Sequence, residues 1–479
     1  MDMSDTERIR RWRESDHLTT ALWIFVGIGI GGAAFMVWFL FALQADIRRG
    51  TRLEAVPEEQ ESPHYEFEIA DPAAVIEKPP FDRGGKLVDF PDRSRITGSL
   101  MGVALLVMLA PRANAQNADA PAPTTSEWQF GGTLDGAYIK DFNNPANGFF
   151  RSRGTAYKVD DPILNMAMAY VRKAPTETSR WGMEFTAQSG QDTRVFGFSA
   201  TAPNLPGSQG LRHLGPTDVS YLAPIGKGLT IQGGIFSSLI GYDSLYAKDN
   251  LNYTRPWGAD FTPYLMLGIN ASYPFTNKLT VTGFVVNGYW HLGNANGVPS
   301  VGAQLAYKAT SRWNLKETAM YGPHQSDTSL EFWRFLSDSI VEYKTDRTTV
   351  AFEYHVGTET VATAGNAHAV WMASQLPLHF ALNKRWSVTE RPEVYWDNTG
   401  RITGAAQTVK ANTATLEYKV PYRKAAAIFR LEHRVDDSRG PQGGFFTDRF
   451  TSPGVIALKP TQHLLAFAVI LTFDSTFRH

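Results

Sequence analysis

Cysteine is absent from this 479-residue chain. That removes disulfides, thiolate nucleophiles and cysteine-based metal centres at once. Net charge is nearly absent too: 46 basic and 47 acidic residues leave a formal −1, so no global field draws the chain towards nucleic acid. Catalytic punctuation is missing. The sequence contains no G-x-S-x-G, no H-E-x-x-H, no G-x-x-x-x-G-K and no calcium-loop pattern, each of which carries a known mechanism. Neither an enzyme, a cofactor nor a metal site is expected. The isolated histidines His355, His379 and His433 read as pore-lining or interfacial side chains, not ligands.

What is present begins with two apolar segments. Residues 18–43, "LTTALWIFVGIGIGGAAFMVWFLFAL", carry no charge and make about 39 Å of helix, enough for a single membrane span. Trp23 and Trp38 lie towards its ends, where interfacial rings are favoured. The arginines before it (Arg8, Arg10, Arg11, Arg13) and after it (Arg48, Arg49, Arg52) are too evenly matched to orient it. Residues 51–92 form an acidic, Pro-rich linker. The second segment, residues 93–115, has Arg93 and Arg95, an uncharged run and the small-residue site Ala113-Asn114-Ala115. These are the parts of a secretory signal, with cleavage expected between Ala115 and Gln116. Such a signal belongs at the start of an exported precursor. Two origins fit: an exported protein whose translation starts near Leu87 or Val88, or a fusion cut after Ala115, and the first is favoured. Residues 1–50 then hold a basic N-terminus and span, residues 116–127 a periplasmic linker, and residues 128–479 the functional body.

In the body, long stretches of helical period are scarce and period-2 alternation dominates, which signals strands. In "HLLAFAVILTF", Leu465, Phe467, Val469, Leu471 and Phe473 share one face, with Ile470 an exception on the other. In "FRLEHRVD", Phe429, Leu431 and Val435 oppose Arg430, Glu432, Arg434 and Asp436. Sixteen such runs occur, near 128–142, 162–174, 179–192, 216–225, 229–241, 260–275, 279–292, 300–310, 313–322, 332–345, 348–358, 369–382, 386–398, 412–422, 425–437 and 462–475. Every second connection is short, and the others are longer and rich in Gly, Asn, Pro and Asp. Short turns at one end and long loops at the other predict a transmembrane antiparallel up-and-down β-barrel of about sixteen strands. The fold class is therefore all-β, preceded by a single-span helix and an internal signal-like helix.

Three short turns, "TSRW", "TSRW" and "NKRW", deliver Trp181, Trp313 and Trp386 to the start of a strand, as an aromatic girdle requires. Sixteen strands enclose an aqueous lumen, and the charged strand faces suit it. Predicted pore-lining residues are Glu184, Arg334, Asp338, Glu353, Arg391, Glu393, Asp397, Glu417, Lys419, Arg430, Glu432, Arg434 and Asp436. Mixed signs predict weak ion selectivity. The third long connection, "YDSLYAKDNLNYTRPWGAD", is the candidate constriction, with Asp243, Lys248, Asp249 and Arg255 expected to point into the pore.

The stretches "LDGAYIKDFNNPAN", "NMAMAYV", "GGIFSSLIGYDS", "NLNYTRPWGADFTPYLMLGINASY", "RPEVYWDNTG" and "RLEHRVDDS" resemble the β-barrel porin-2 group, the OmpL-like outer-membrane porins, across about residues 128–475. The resemblance implies a passive diffusion channel in a Gram-negative-type outer membrane, with the lipid bilayer and small hydrophilic solutes or ions as partners. A homotrimer is expected of a classical porin, though the sequence shows no interface signature. The competing functions are a barrel plugged by its own loops, serving as an adhesin or a sleeve for a redox protein, and an enzyme at the barrel rim. The linker at residues 116–127 is too short to be such a plug.

Overall fold

Alternating side chains can face two different solvents only if the sheet has no free edge, and here it closes on itself. The computed structural model describes residues 128–475, apart from 198–209, 290–291, 293–297, 325–331 and 362–366. The expected single span, acidic linker, signal-like segment and Ala115–Gln116 cleavage site lie outside the described residues. The strands are β1 (Gln129–Asp141), β2 (Pro162–Lys173), β3 (Trp181–Ser189), β4 (Leu214–Ala223), β5 (Leu229–Ser237), β6 (Leu265–Pro274) and β7 (Leu279–Val286). They continue with β8 (Ser300–Lys308), β9 (Trp313–Pro323), β10 (Trp333–Lys344), β11 (Thr348–Val361), β12 (Ala367–Gln375), β13 (Leu378–Ala381) and β14 (Trp386–Asp397). The last are β15 (Gln407–Tyr422), β16 (Ala425–Arg439), β17 (Phe445–Ser452), β18 (Val455–Lys459) and β19 (Thr461–Asp474).

All sixteen expected strands are present. Successive strands pair antiparallel, and β1 pairs with both β2 and β19, which closes the barrel. Two details differ from the simple count. β12 and β13 form one stave, because both pair with β11 and β14. They are separated at Leu376–Pro377, where proline has no N–H to give the ladder. β17 and β18 form a separate hairpin inside the last long connection, and β19 pairs directly with β16. Among the described residues no helix is long and apolar enough to cross a membrane, so the crossing elements are strands.

Burial follows the alternation. Along β16, Arg430, Glu432, Arg434 and Asp436 are buried within the barrel, whereas Leu431 on the outer face is 47% exposed. On β19, Ala466, Ala468 and Ile470 point inward while Phe467 is 51% exposed. Ile470, the exception in the sequence pattern, is thus an inward residue. Large apolar side chains outside and charged ones inside reverse the arrangement of a water-soluble sheet and match a lipid-embedded one. The buried apolar cluster lies within the barrel, where Phe150, Trp257, Phe261 and Phe445 from the long connections meet Ile139, Leu336 and Tyr395 of the wall.

Candidate functional site: a loop fastened to the inner wall

The connection between β5 and β6 turns into the barrel. Its backbone contains a single 3-10 turn at Ala247–Asp249 and one helical turn, α1 (Trp257–Asp260). Pro256, at φ −67°, precedes α1. Its ring presets that angle, and its missing N–H is not needed at a helix start. So short a helix leaves its first N–H groups without helical partners, and the wall supplies one. The Trp257 N–H donates to Glu393 Oε2 at 2.5 Å, and its indole Nε1 donates to Asp436 Oδ1 at 2.8 Å.

The charged row of β16 holds the rest of the loop. Glu432 accepts the N–H groups of Tyr253 (2.6 Å) and Thr254 (2.9 Å) and the Thr254 hydroxyl at 2.5 Å. Arg430 works in the opposite sense. Its guanidinium donates to the carbonyls of Ala247 (2.8 Å), Asn250 (2.6 Å) and Asn252 (3.0 Å). Arg434 reaches the Arg255 carbonyl at 3.1 Å while pairing with Glu393 at 2.9 Å and Asp436 at 2.8 Å. Charge-assisted bonds of this kind are roughly twice as strong as neutral ones. Fixed buried charges that meet loop backbone dipoles also avoid the cost of an unpaired buried ion.

Further round the wall, on β10 and β11, the Gly241 N–H donates to Asp338 Oδ2 at 2.9 Å and the Tyr242 N–H to Glu353 Oε1 at 3.2 Å. The Tyr242 hydroxyl reaches Glu342 at 2.9 Å. Tyr253 extends to β1, its hydroxyl on Asp135 at 2.8 Å. Two further loops brace the third. Arg153 of the first pairs with Asp260 at 2.9 Å, and Asp192 of the second pairs with Arg255 at 3.2 Å. Burial pushes the Asp192 carboxyl up to about 7, against the opposing pull of Arg255.

The predicted pore-lining residues therefore face inward, but most are covered. Arg391, Glu393, Arg430, Glu432, Arg434 and Asp436 lie beneath the loop, none more than 4% exposed. Arg334 pairs with Glu359 at 2.9 Å and lies over the rings of Tyr289 and Trp371. Asp397 accepts the N–H groups of Arg401, Ile402 and Thr403, which makes it the anchor of a tight turn and not a channel wall. Glu184, Glu417 and Lys419 retain partial exposure, and Glu417 pairs with Arg430 at 2.8 Å. In the loop, Arg255 is fully buried. It does not point into open lumen but ties the loop to Asp192 and to the carbonyls of Tyr253 and Leu245. Asp243 accepts from Gln375 at 2.6 Å. Lys248 and Asp249 pair with each other at 2.8 Å, with Asp249 exposed.

The sequence reading missed Asp135, Arg153, Asp192, Trp257, Asp260 and Glu359. Each acts through a partner in a distant part of the chain, so no local spacing marks it. Trp181, Trp313 and Trp386 are 63%, 43% and 39% exposed on the outer face at the short-turn end. Each packs on a tyrosine directly across the strand pair, with ring centroids 4.7 Å apart to Tyr221, 4.9 Å to Tyr343 and 4.5 Å to Tyr418. The tyrosine half of these pairs was also missed.

Solved structures similar to this chain include the in-vitro folded outer membrane protein OmpT of Vibrio cholerae, 10% identical, with 75% of this chain and 100% of that chain covered and a TM-score of 0.45. The outer membrane channel DcaP of Acinetobacter baumannii is 9% identical over 75% and 100%, with a TM-score of 0.47. The anion-selective porin of Comamonas acidovorans is 9% identical over 73% and 100%, at 0.46. At this distance these likenesses carry no weight beyond the strand pairing already described. No curated protein matches the chain. The family described as "Putative beta-barrel porin-2, OmpL-like" matches residues 127–473, which is the whole barrel. The chain belongs to this family of β-barrel porins.

Proposed function

We propose that the protein is a passive channel of a Gram-negative-type outer membrane, passing small hydrophilic solutes or ions through a lumen narrowed by its third loop. The observation that carries this reading is the inverted barrel, with charged side chains inside and large apolar ones outside, into which that loop folds and is fastened. Glu184, Glu417, Lys419 and the Lys248–Asp249 pair are among the partly exposed charges that meet a passing solute, and their mixed signs support weak selectivity. The Trp–Tyr pairs at the short turns act as the periplasmic-side girdle. Residues 93–115 act as the export signal, so that the mature protein begins at Gln116.

The test is single-channel conductance of the purified protein in a planar bilayer, with the reversal potential measured in a salt gradient. Steady, salt-dependent steps with a small reversal potential are expected. A second reading is favoured by one specific observation: the charged rows of β14 and β16 lie under loops, not in open water. It is a barrel closed by its own loops that serves as a binding or structural partner. A correctly folded barrel that stays electrically silent would replace the first reading with this one.

A further inference from the structure

In one cluster on the inner wall, holding the loop does not account for every buried polar atom. Asp338 of β10 and His355 of β11 are directly opposite each other in the strand register, and Glu353 lies two residues from His355 on the same inward face. One ligand atom from each lies within 4.8 Å of the other two. All three side chains are buried, at 0%, 3% and 1% exposure for Asp338, Glu353 and His355. The outer oxygens of the two carboxylates are already committed. Gly241 holds Asp338 Oδ2, Tyr242 holds Glu353 Oε1, and the Gln375 amide holds Glu353 Oε2 at 2.5 Å. Both ring nitrogens of His355 have no hydrogen-bond partner among the described residues, and the Asp338 and Glu353 carboxyls share a hydrogen bond with each other.

A buried imidazole with neither nitrogen satisfied is costly. Two carboxyl groups lie at its edge and hold one proton between them. A cation placed among the three groups would displace that proton to solvent and give the imidazole a partner. Zinc-like ions take an imidazole nitrogen at about 2.0–2.1 Å and a carboxylate oxygen at about 2.0–2.2 Å, so donors this close need only small side-chain rotations to share one. The bonds from Gly241, Tyr242 and Gln375 are the kind of outer contacts that orient metal-ligating carboxylates. The loop packs closely over this cluster. His355 and Glu353 line a tight crevice with Pro256, Gly258, Ala373 and Gln375, and a Cβ on Gly258 would come within 2.9 Å of the imidazole Cε1. A side chain at position 258 would therefore press on the ring.

We propose that Asp338, Glu353 and His355 bind one divalent transition-metal ion of the zinc type, which clamps the third loop to β10 and β11. The site is separate from the channel reading, because it fixes the loop whether or not solutes pass. It also reverses the sequence-based expectation that His355 is not a ligand. The ligand set, one nitrogen and two oxygens, favours zinc-like ions over the hard cations that prefer all-oxygen cages.

The test uses the purified full chain in detergent, stripped with a chelator and titrated with zinc chloride by calorimetry. X-ray absorption of the zinc-loaded wild type reports the ligands directly. The expected result is one tightly held ion per chain with an imidazole in its shell, and a higher melting temperature when it is bound. His355→Gln and Glu353→Gln, checked for a folded barrel by heat-modifiable mobility, are each expected to weaken binding roughly tenfold or more. His433 and His463, whose rings are 5.8 Å apart on the outer face, are the obvious competing site, so His433→Gln is expected to leave the tight ion in place. The proposal is overturned if folded wild type takes up no stoichiometric ion, if the loaded shell contains oxygen alone, or if His433→Gln and not His355→Gln abolishes uptake. No uptake would leave a proton shared between the two carboxylates as the explanation of the cluster.

Discussion

At the scale of single residues, the interior of this barrel is governed by where a buried charge can find a partner. Glu432 shows this most clearly. It receives two loop N–H groups and the hydroxyls of Thr254 and Thr415, so its carboxylate is saturated without a bulk-water contact. Glu432→Leu removes that acceptor and leaves the N–H groups of Tyr253 and Thr254 stranded, at a cost of about 1–3 kcal/mol for each. The barrel ladder around position 432 is made by backbone groups and is unaffected. The loop should therefore loosen around Tyr253 and Thr254, still tied at Arg430, Arg434 and Glu393, while the barrel assembles. Conductance steps of Glu432→Leu are expected to be larger and noisier than those of the wild type. Unchanged amplitude and noise would mean that this part of the loop does not narrow the passage.

At the scale of elements, the alternation of β1 to β16 and β19 was legible because each strand buries one face and presents the other to a different solvent, which leaves a clean period of two. The β17–β18 hairpin was not legible. Its two short strands, at Phe445–Ser452 and Val455–Lys459, expose most of their residues on both faces, so hydrophobicity does not alternate along them. The break between β12 and β13 is marked in the sequence only by Pro377. The charged rows were legible as inward-facing, but their cover was not, because Tyr253 meets Glu432 across 179 positions of chain. Only the closed barrel brings them together. The Trp–Tyr pairs are an intermediate case. A tryptophan just after a turn is visible in a local window, whereas its tyrosine depends on register. If Trp386 and Tyr418 form one interfacial unit, a double-mutant cycle to alanine should show a coupling of about 0.5–1.5 kcal/mol. Tryptophan fluorescence should also be quenched best by lipids brominated near the headgroup. Negligible coupling together with quenching from the bilayer centre would remove the girdle assignment.

For the barrel as one body, inside and outside are told apart by which solvent touches the outer face. Leu431 has Leu416 on one side and Phe467 on the other in the strand register, and all three are more than a third exposed. Carboxylates on the outer face are satisfied locally: Glu317 by the hydroxyls of Ser337 and Ser339, and Glu390 by the Asn412 amide at 2.5 Å. Leu431→Arg separates the two possible surroundings sharply. In water, a polar substitution at so exposed a site changes stability by no more than about 0.5 kcal/mol. Facing hydrocarbon near the middle of a strand, the same arginine costs about 2–4 kcal/mol. The inward neighbour Arg430 supplies the contrast, since Arg430→Leu acts through lost loop contacts and not through lipid. Reversible denaturant unfolding from phospholipid vesicles should give Leu431→Arg a penalty of that larger size and an unchanged loop-limited conductance. Arg430→Leu should alter the conductance. A Leu431→Arg barrel as stable as the wild type would mean that this face is not in lipid, and the assignment of inside and outside would fail with it.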